Sequence, residues 1–391
     1  MSTSAPHMNP VIALLGRRLR LAVIGGGPGS FIGPVHRLAA RMDDRYKIVA
    51  GALTSDPARS IAAGAQLGLA AERCYPDALS LLAAESTRAD GADVVAIMTP
   101  NDSHFPYAMA ALARGFDVIC DKPMTMTLAQ AEQLHQTVQA SGLVYCLTHN
   151  YSGYPLVRQA RAMVADGQLG EIRLVQIEYV QGGRARPGPG RTAWKTDPAR
   201  GGDSLVLSDI GTHAHQLLRF VTSAEVTEVA ADVGCVVPGN SAHDFAGALL
   251  RLQGGARGSF WVTQAAAGVE NGLRIRVSGS LGTLEWAQEQ PQLLHFKPLD
   301  APAQLRTSRG PGTLPLAGRS SRVAAGHPEG FPEAFANLYS DAAEAIAARR
   351  AGTTPEPLAL HFPNAHDGWM GLRFVDAMIR SSEAGGAWTR A

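Results

Sequence analysis

The stretch that decides the fold is VIGGGPGSFIG at residues 23–33, which continues an apolar run from Leu21. The residues Leu21 to Ile24 predict a short strand, and the glycines predict a tight turn into a helix that begins near Phe31. Glycines at such a turn let backbone amides approach a pyrophosphate at the helix N-terminus. The spacing G-x-G-x-x-G is recovered when Pro28-Gly29-Ser30 is treated as an insertion. We therefore predict a dinucleotide site here, with a plain glycine turn as the alternative.

Strand and helix patterns alternate after this turn. The further predicted strands are Tyr46 to Leu53, Asp93 to Ile97, Phe116 to Cys120 and Leu143 to Leu147. The predicted helices are Asp56 to Leu67, Ser103 to Arg114 and Leu128 to Ser141. Such alternation requires right-handed crossovers and a doubly wound parallel sheet. We therefore predict an α/β fold whose first domain, residues 19–150, is a Rossmann domain.

The second half, residues 151–391, has a different pattern. Apolar and polar residues alternate in Ile172 to Val180, Val226 to Val233, Ala246 to Leu252, Arg257 to Val262 and Gly272 to Val277. This alternation predicts an antiparallel sheet with one covered face, in an α+β domain that binds substrate and forms oligomers. The predicted helices are Leu156 to Ala165, Leu207 to Phe220, Phe331 to Arg349 and Phe362 to Ser382. Residues 300–329 are expected to be irregular, and the final helices can pack back on the first domain.

Composition excludes several classes of function. Among 391 residues, 35 Lys and Arg balance 34 Asp and Glu, so no global field attracts nucleic acid or an anionic membrane. The four cysteines form no C-x-x-C pair, which indicates free thiols in a reducing compartment instead of zinc. The apolar run Val11 to Leu15 is too short to span a membrane, and Arg17-Arg18 follow it. We therefore expect a loose N-terminal arm over residues 1–18 and a cytoplasmic protein.

Two short strings far apart predict the chemistry. Asp121-Lys122-Pro123 follows a predicted strand, so Lys122 should project from a strand end. Asp209 and His213 are four residues apart, which puts a carboxylate and an imidazole on one helix face. An ammonium, a carboxylate and an imidazole in one cleft can remove a hydroxyl proton while a hydride leaves the same carbon. Behind a dinucleotide fold, they predict a dehydrogenase.

Other residues are candidates for cofactor binding. The end of the second strand usually selects between NAD and NADP, but Asp56 can equally cap a helix and Arg59 can be solvated, so the choice stays open. Asn101 and His104 follow the third strand, where a Pro-Asn turn is the alternative. The predicted cofactor contacts are Gly25, Gly27, Pro28, Gly29, Phe31, Ile32, Ser55, Asp56, Arg59, Thr99, Asn101, His104, Asp121, Lys122 and Asn150.

The candidate substrate contacts lie around the same cleft. Tyr151 follows the last Rossmann strand, where a strand-to-helix turn is an equal alternative. The segment from residue 182 to 200 is rich in arginine, proline and glycine, and it is either a lid or a solvated loop. As a lid, it would stack Trp194 on a sugar face and use Arg184 for an acidic substituent. The predicted substrate contacts are Lys122, Tyr151, Arg184, Trp194, Asp209 and His213.

Together these motifs resemble one family. They are the glycine-rich turn, Thr99-Pro100-Asn101-x-x-His104, Asp121-Lys122-Pro123, and Gly201-Gly202 ahead of Asp209-x-Gly211-x-His213. In this order, from about Leu19 to the final helices, they resemble the glucose–fructose oxidoreductase/inositol dehydrogenase family, Gfo/Idh/MocA. The resemblance implies NAD or NADP as cofactor, His213 as proton acceptor, Asp209 as the positioning carboxylate and Lys122 as the lysine that touches nicotinamide ribose and substrate. Asp121 departs from the family's usual Glu, and His215 and Gln216 depart from its usual apolar residue and Asp.

The resemblance also implies a substrate class and an assembly. Its members generally oxidise or reduce sugars, cyclitols and related polyols, and they often form dimers or tetramers through an open, mostly antiparallel sheet. We therefore expect a homodimer or homotetramer that transfers a hydride from a secondary hydroxyl of a sugar, sugar derivative or cyclitol. A redox-neutral glycosidase that oxidises its ring transiently could use the same three residues. A sugar- or dinucleotide-sensing regulator is the third possibility, but a sensor has no need of a proton acceptor.

Overall fold

A computed structural model of the chain describes residues 9–188, 198–202 and 204–391. In these residues the first half forms a five-stranded parallel sheet in the order β2-β1-β3-β4-β5. Its strands are β1 (Leu19–Gly25), β2 (Tyr46–Ala52), β3 (Val94–Met98), β4 (Asp117–Cys120) and β5 (Tyr145–Leu147). Its helices are α1 (Pro10–Leu15), α2 (Ile32–Met42), α3 (Pro57–Gln66), α4 (Ala78–Thr87), α5 (His104–Leu112) and α6 (Leu128–Ser141). The predicted doubly wound sheet is confirmed.

The described part of the second half forms a nine-stranded sheet in the order β13-β12-β11-β10-β6-β9-β8-β7-β14. Its strands are β6 (Ile172–Val180), β7 (Val226–Gly234), β8 (Phe245–Leu252), β9 (Arg257–Thr263), β10 (Gly272–Gly279), β11 (Gly282–Ala287), β12 (Leu293–Pro298), β13 (Gln304–Thr307) and β14 (Thr389–Arg390). The pair β6 and β9 is parallel and the other pairs are antiparallel. The predicted mostly antiparallel sheet is therefore confirmed.

The helices of the second half pack on the nine-stranded sheet, on the parallel sheet of the first half, or on neighbouring helical elements. They are α7 (Pro155–Ala165), α8 (Pro198–Gly201), α9 (Thr212–Thr222), α10 (Pro315–Gly318), α11 (Phe331–Ala351) and α12 (Ala365–Glu383). Apolar side chains of α11 pack in one core with Leu19, Leu21 and Val23 of β1. A hydrogen bond joins α11 to β2, since the hydroxyl of Tyr46 donates to the carbonyl oxygen of Tyr339 at 2.8 Å. None of the described helices combines the length and the apolarity needed to cross a membrane.

The structure differs from the sequence-based description in three local features. Residues 10–15 are a helix instead of a loose arm, because the side chain of Asn9 accepts hydrogen bonds from the first turn and Val11 is fully buried. Residues 300–329 are not irregular throughout, since they contain β13 and α10. The helix α4 was not predicted, because its apolar residues do not form one stripe, although Leu81 and Leu82 are both buried.

Candidate active site

Lys122 and Asp209 form an ion pair between the two halves of the chain. Lys122 follows β4, and its Nζ lies 3.2 Å from Oδ1 of Asp209. The same ammonium donates a hydrogen bond to the main-chain carbonyl of Asp209. Both side chains are largely buried, with 14% and 20% of their surfaces exposed. A cation and a carboxylate are thus fixed in one cleft, where each partly neutralises the other's charge.

A π-helical turn, Leu207–Gly211, carries Asp209. The helix predicted over residues 207–220 begins with this wider turn and continues as α9, whose first turn carries His213. Such π turns are rare and are found frequently at functional sites. The carboxylate of Asp209 is therefore held on an irregular turn, while the imidazole is held on a regular helix that packs against the sheet.

His213 packs against His149, a residue that the sequence analysis left without a role. The two Nδ1 atoms are 3.3 Å apart, and the rings meet edge to face at 85°. His149 is 2% exposed and His213 is 8% exposed. Burial, and after it the nearby charge of Lys122, lowers the pKa of His149 to about 3. His149 is therefore neutral at physiological pH.

Tyr151 also packs against His213. Their ring centroids are 4.9 Å apart, and Tyr151 is 4% exposed. The hydroxyl of Tyr151 is hydrogen-bonded to that of Tyr179, which donates to Oδ1 of Asn271 at 2.8 Å. The structure therefore places Tyr151 beside the imidazole, and its contact with substrate stays a prediction.

Neutral amides of the large sheet complete the cleft. Val180 of β6 pairs with Thr263 of β9 on one side and with Gly272 of β10 on the other. The next residues along these strands therefore meet at one edge: they are Gln181, Gln264 and Asn271. Gln264 donates to Oδ2 of Asp209 at 2.9 Å, and Gln181 donates to Oδ1 of Asn271 at 2.7 Å. Sequence analysis missed all three, because only the strand register brings them together.

Asp121 lies beneath Lys122 and is held by several donors. Its Oδ1 accepts from the Thr148 hydroxyl at 2.9 Å and from the Lys122 amide at 3.0 Å. Nε2 of His36 is 3.9 Å from the same oxygen. Burial by itself raises the pKa of Asp121, but the interaction with His36 and the charges of His104 and Lys122 outweigh it and lower the pKa to about 2. Asp121 is therefore a fixed negative charge.

The glycine turn has the shape that a dinucleotide requires. A Cβ atom at Gly27 would lie 2.6 Å from the carbonyl oxygen of Leu53, and one at Gly33 would lie 2.1 Å from that of Gly26. These contacts permit only glycine at the two positions, where the turn packs tightly between β1 and α2, whereas a Cβ atom at Gly29 would have no neighbour within 4 Å, so the turn is open on that side. Nδ2 of Asn150 is buried and makes no hydrogen bond within the described residues. This glycine turn, and the amide group of Asn150 as a donor that can reach a ligand, fit a nicotinamide dinucleotide.

Several predicted cofactor residues are engaged with the protein itself. Asp56 caps α3, since its Oδ1 accepts from the amide of Arg59 at 2.8 Å, and the side chain of Arg59 is exposed. The ring nitrogens of His104 lie 2.7 Å and 2.9 Å from the carbonyl oxygens of Pro123 and Thr99, which argues against the predicted cofactor contact. Asn101 donates to the carbonyl oxygen of Gly201 at 3.2 Å. These side chains support the loops around the cleft.

The predicted lid is only partly described. The main-chain amide of Arg184 donates to the carbonyl oxygen of Gln264 at 2.8 Å, and its side chain is 7% exposed. Arg184 is thus joined to the end of β9, next to the amides of the cleft. Trp194 lies outside the described residues.

Comparison with known proteins identifies the two halves separately. Residues 19–149 match the oxidoreductase family with an NAD-binding Rossmann fold, and residues 157–285 match the Gfo/Idh/MocA C-terminal domain. The uncharacterized oxidoreductase YfiI of Bacillus subtilis (strain 168) is 33% identical over 96% of this chain and 97% of its own length. The matches of both domains and the nearly full-length relative therefore all point to an oxidoreductase.

Solved structures show the same similarity. An oxidoreductase from Sinorhizobium meliloti is 44% identical with a TM-score of 0.87, over 95% of this chain and 99% of its own. An inositol dehydrogenase homolog from Azotobacter vinelandii, complexed with NADH and myo-inositol, is 37% identical with a TM-score of 0.89, over 97% and 99%. With its NAD-binding Rossmann domain followed by the characteristic C-terminal domain, this chain belongs to the Gfo/Idh/MocA family of oxidoreductases.

Proposed function

We propose that this oxidoreductase transfers a hydride between NAD and a secondary ring hydroxyl of a neutral polyol: a sugar, a sugar derivative or a cyclitol. The observation that carries the proposal is the ion pair of Lys122 and Asp209, from opposite halves of the chain, with the buried imidazole of His213 four residues after Asp209 on the following helix. Myo-inositol is the first substrate to test, because the similar protein from Azotobacter vinelandii is complexed with NADH and myo-inositol.

Each of the three side chains has a separate part in the proposed reaction. His213 accepts the hydroxyl proton through Nε2, since its Nδ1 already faces His149. The ammonium of Lys122 stabilises negative charge on the substrate oxygen, and this interaction is stronger in the transition state than with the neutral alcohol. Asp209 holds the ammonium in place at 3.2 Å. A bound nicotinamide supplies the acceptor for the hydride.

The amides at the sheet edge favour an uncharged substrate. Gln181, Gln264 and Asn271 can each donate and accept hydrogen bonds, as the hydroxyls of a polyol require. Lys122 and Asp209, which lie in the same cleft, carry opposite charges and are paired with each other. A substrate with several hydroxyls can therefore be oriented without a charged substituent.

The proposal is tested by the absorbance of reduced nicotinamide with NAD or NADP and a panel of cyclitols, monosaccharides and glycosides. We expect turnover of at least one neutral polyol, and a fall in kcat of about 100-fold or more in Lys122→Met. The control is Lys47→Met, because Lys47 is exposed on β2 and should leave turnover unchanged. No turnover with any polyol, or unchanged kcat in Lys122→Met, would refute the proposal. Glycoside cleavage without net reduced nicotinamide would favour the redox-neutral glycosidase instead.

We also propose that copies of the chain associate through the open face of the nine-stranded sheet. Large apolar side chains are exposed on this face: Leu174 at 56%, Leu249 at 60% and Trp261 at 43%. Strand register puts them along one row of β9, because Leu174 pairs with Arg257, Leu249 pairs with Ser259, and Trp261 follows two residues later. A surface of this kind is typical of an interface between copies.

The cytoplasm is the proposed compartment. The four cysteines are free thiols, and Cys74, Cys120 and Cys146 are buried. Thiols of this kind persist where the surroundings are reducing. Fractionation of cells that produce the protein tests this assignment, which fails if the activity is found outside the cytoplasm.

A further inference from the structure

His149 occupies a position where it can control which nitrogen of His213 carries a proton. It follows β5, and its amide donates to the carbonyl oxygen of Leu147 at 2.8 Å. Its own carbonyl accepts from the Ser152 hydroxyl at 2.8 Å. Hydrogen bonds on both sides therefore fix the main chain of His149, whose ring faces Nδ1 of His213.

The contact between the two rings imposes a choice of tautomer. Two N–H groups at 3.3 Å would repel each other, and so would two lone pairs. The geometry is satisfied only when one Nδ1 donates and the other accepts. The tautomers of His149 and His213 are therefore coupled.

The surrounding charges keep His149 from competing for the proton. Burial is the largest cause that disfavours its protonation, and Lys122 and Arg219 act in the same direction; only Asp121 favours the cation, so that the pKa is lowered to about 3. The neighbouring His215 is also buried, and burial and Arg219 lower its pKa well below the usual value. Neither His149 nor His215 therefore becomes a cation at neutral pH.

We propose that His149 is a positioning residue that accepts a hydrogen bond from Nδ1–H of His213, so that Nε2 of His213 carries the lone pair that takes the substrate proton. The inference rests on the proposed function of His213. As the substrate O–H bond breaks, an N–H bond forms at Nε2, and His213 becomes an imidazolium that keeps its Nδ1 proton. His149 remains neutral with its own proton on Nε2. Nδ1–H of His213 donates to Nδ1 of His149 both before and after His213 accepts the substrate proton. No proton therefore moves between the two rings.

Neutron diffraction from a crystal of the deuterated protein tests the pair without any activity. We expect a deuteron on Nδ1 of His213 that points at a bare Nδ1 of His149. A deuteron on Nδ1 of His149, with a bare Nδ1 on His213, would overturn the inference. Because this measurement needs no substrate, its result stands even if no polyol is turned over and the proposed function fails.

The pH profile of polyol oxidation tests the consequence for His213. His149→Leu removes the acceptor and keeps apolar bulk, whereas His149→Asn retains an oxygen near the position of Nδ1. An acceptor stabilises the imidazolium, so its loss should lower the pKa of His213 and move the acid limb of kcat about one pH unit lower. We also expect kcat of the Leu variant to fall about tenfold with KM changed less than about twofold.

The variants separate positioning from packing. His149→Asn should keep the acid limb near that of the wild type, and the exposed control His327→Leu should leave both kcat and the limb unchanged. If the Leu and Asn variants share the wild-type profile, the inference is overturned while the proposed function stands. If both lose activity equally and their acid limbs coincide, the role of His149 is packing alone, and the inference is likewise overturned.

Discussion

Asp121 shows how a shorter carboxylate is held at a position where a Glu was expected. The resemblance to the family predicts a Glu at this position, and Asp is shorter by one methylene. The structure holds the shorter carboxylate with the Thr148 hydroxyl, the Lys122 amide and the nearby ring of His36. Because these groups favour the ionised form, the carboxylate contributes to the free energy of unfolding.

The stability of the protein should depend on pH through Asp121. Its pKa is about 2 in the folded chain, against about 4 in an unfolded chain. The ionised carboxylate therefore contributes about 2 kcal/mol above pH 4, and this contribution is lost as the pH falls towards 2. Urea unfolding of wild type and Asp121→Asn across this range checks it, because the variant should lack that part of the dependence. Thr148→Val should shift the loss to higher pH; identical curves for all three proteins would contradict the assignment.

The burial and the length of each strand explain which strands could be predicted from the sequence. The central strands β1, β3 and β4 are buried on both faces, so their continuous apolar runs were visible in the sequence. The strands β11, β12 and β13 were not predicted, because their six, six and four residues follow short turns and give weak signals. Lys122, Asp209 and His213 were predicted from local spacing. His149 and Gln264 were not, because they approach the site only when separate elements pack together.

Two glycines in one turn of α12 should respond oppositely to alanine. A Cβ atom at Gly368 would lie 2.5 Å from Sδ of Met124 and 3.0 Å from Cδ2 of Leu147, whereas one at Gly371 would have no neighbour within 4 Å. Gly368→Ala should therefore lower the free energy of unfolding by about 1–3 kcal/mol. Gly371→Ala should raise it by about 0.5–1 kcal/mol, because alanine favours the helix. Urea unfolding measures both, and a change of the same sign in the two variants would contradict this packing of α12.

At the scale of the whole molecule, the open face of the nine-stranded sheet should determine the oligomeric state. We expect the wild type to sediment as a dimer or tetramer, and Trp261→Glu to dissociate it, because a charge would be buried in the interface. Leu360→Glu is the matched control, since Leu360 is 50% exposed in the turn Pro357–Leu360, away from the sheet. Analytical ultracentrifugation distinguishes the species. A monomeric wild type, or an unchanged Trp261→Glu assembly, would contradict the proposed interface.

The position of α11 has a consequence for how the protein is made. Its residues Phe335, Leu338 and Tyr339 complete the core beneath β1, although they lie near the far end of the sequence. During synthesis, the first half therefore leaves the ribosome with an apolar surface that nothing can yet cover. Chaperones that shield such surfaces should bind the nascent chain until α11 emerges. A fragment that stops at residue 150 should aggregate when it is expressed alone.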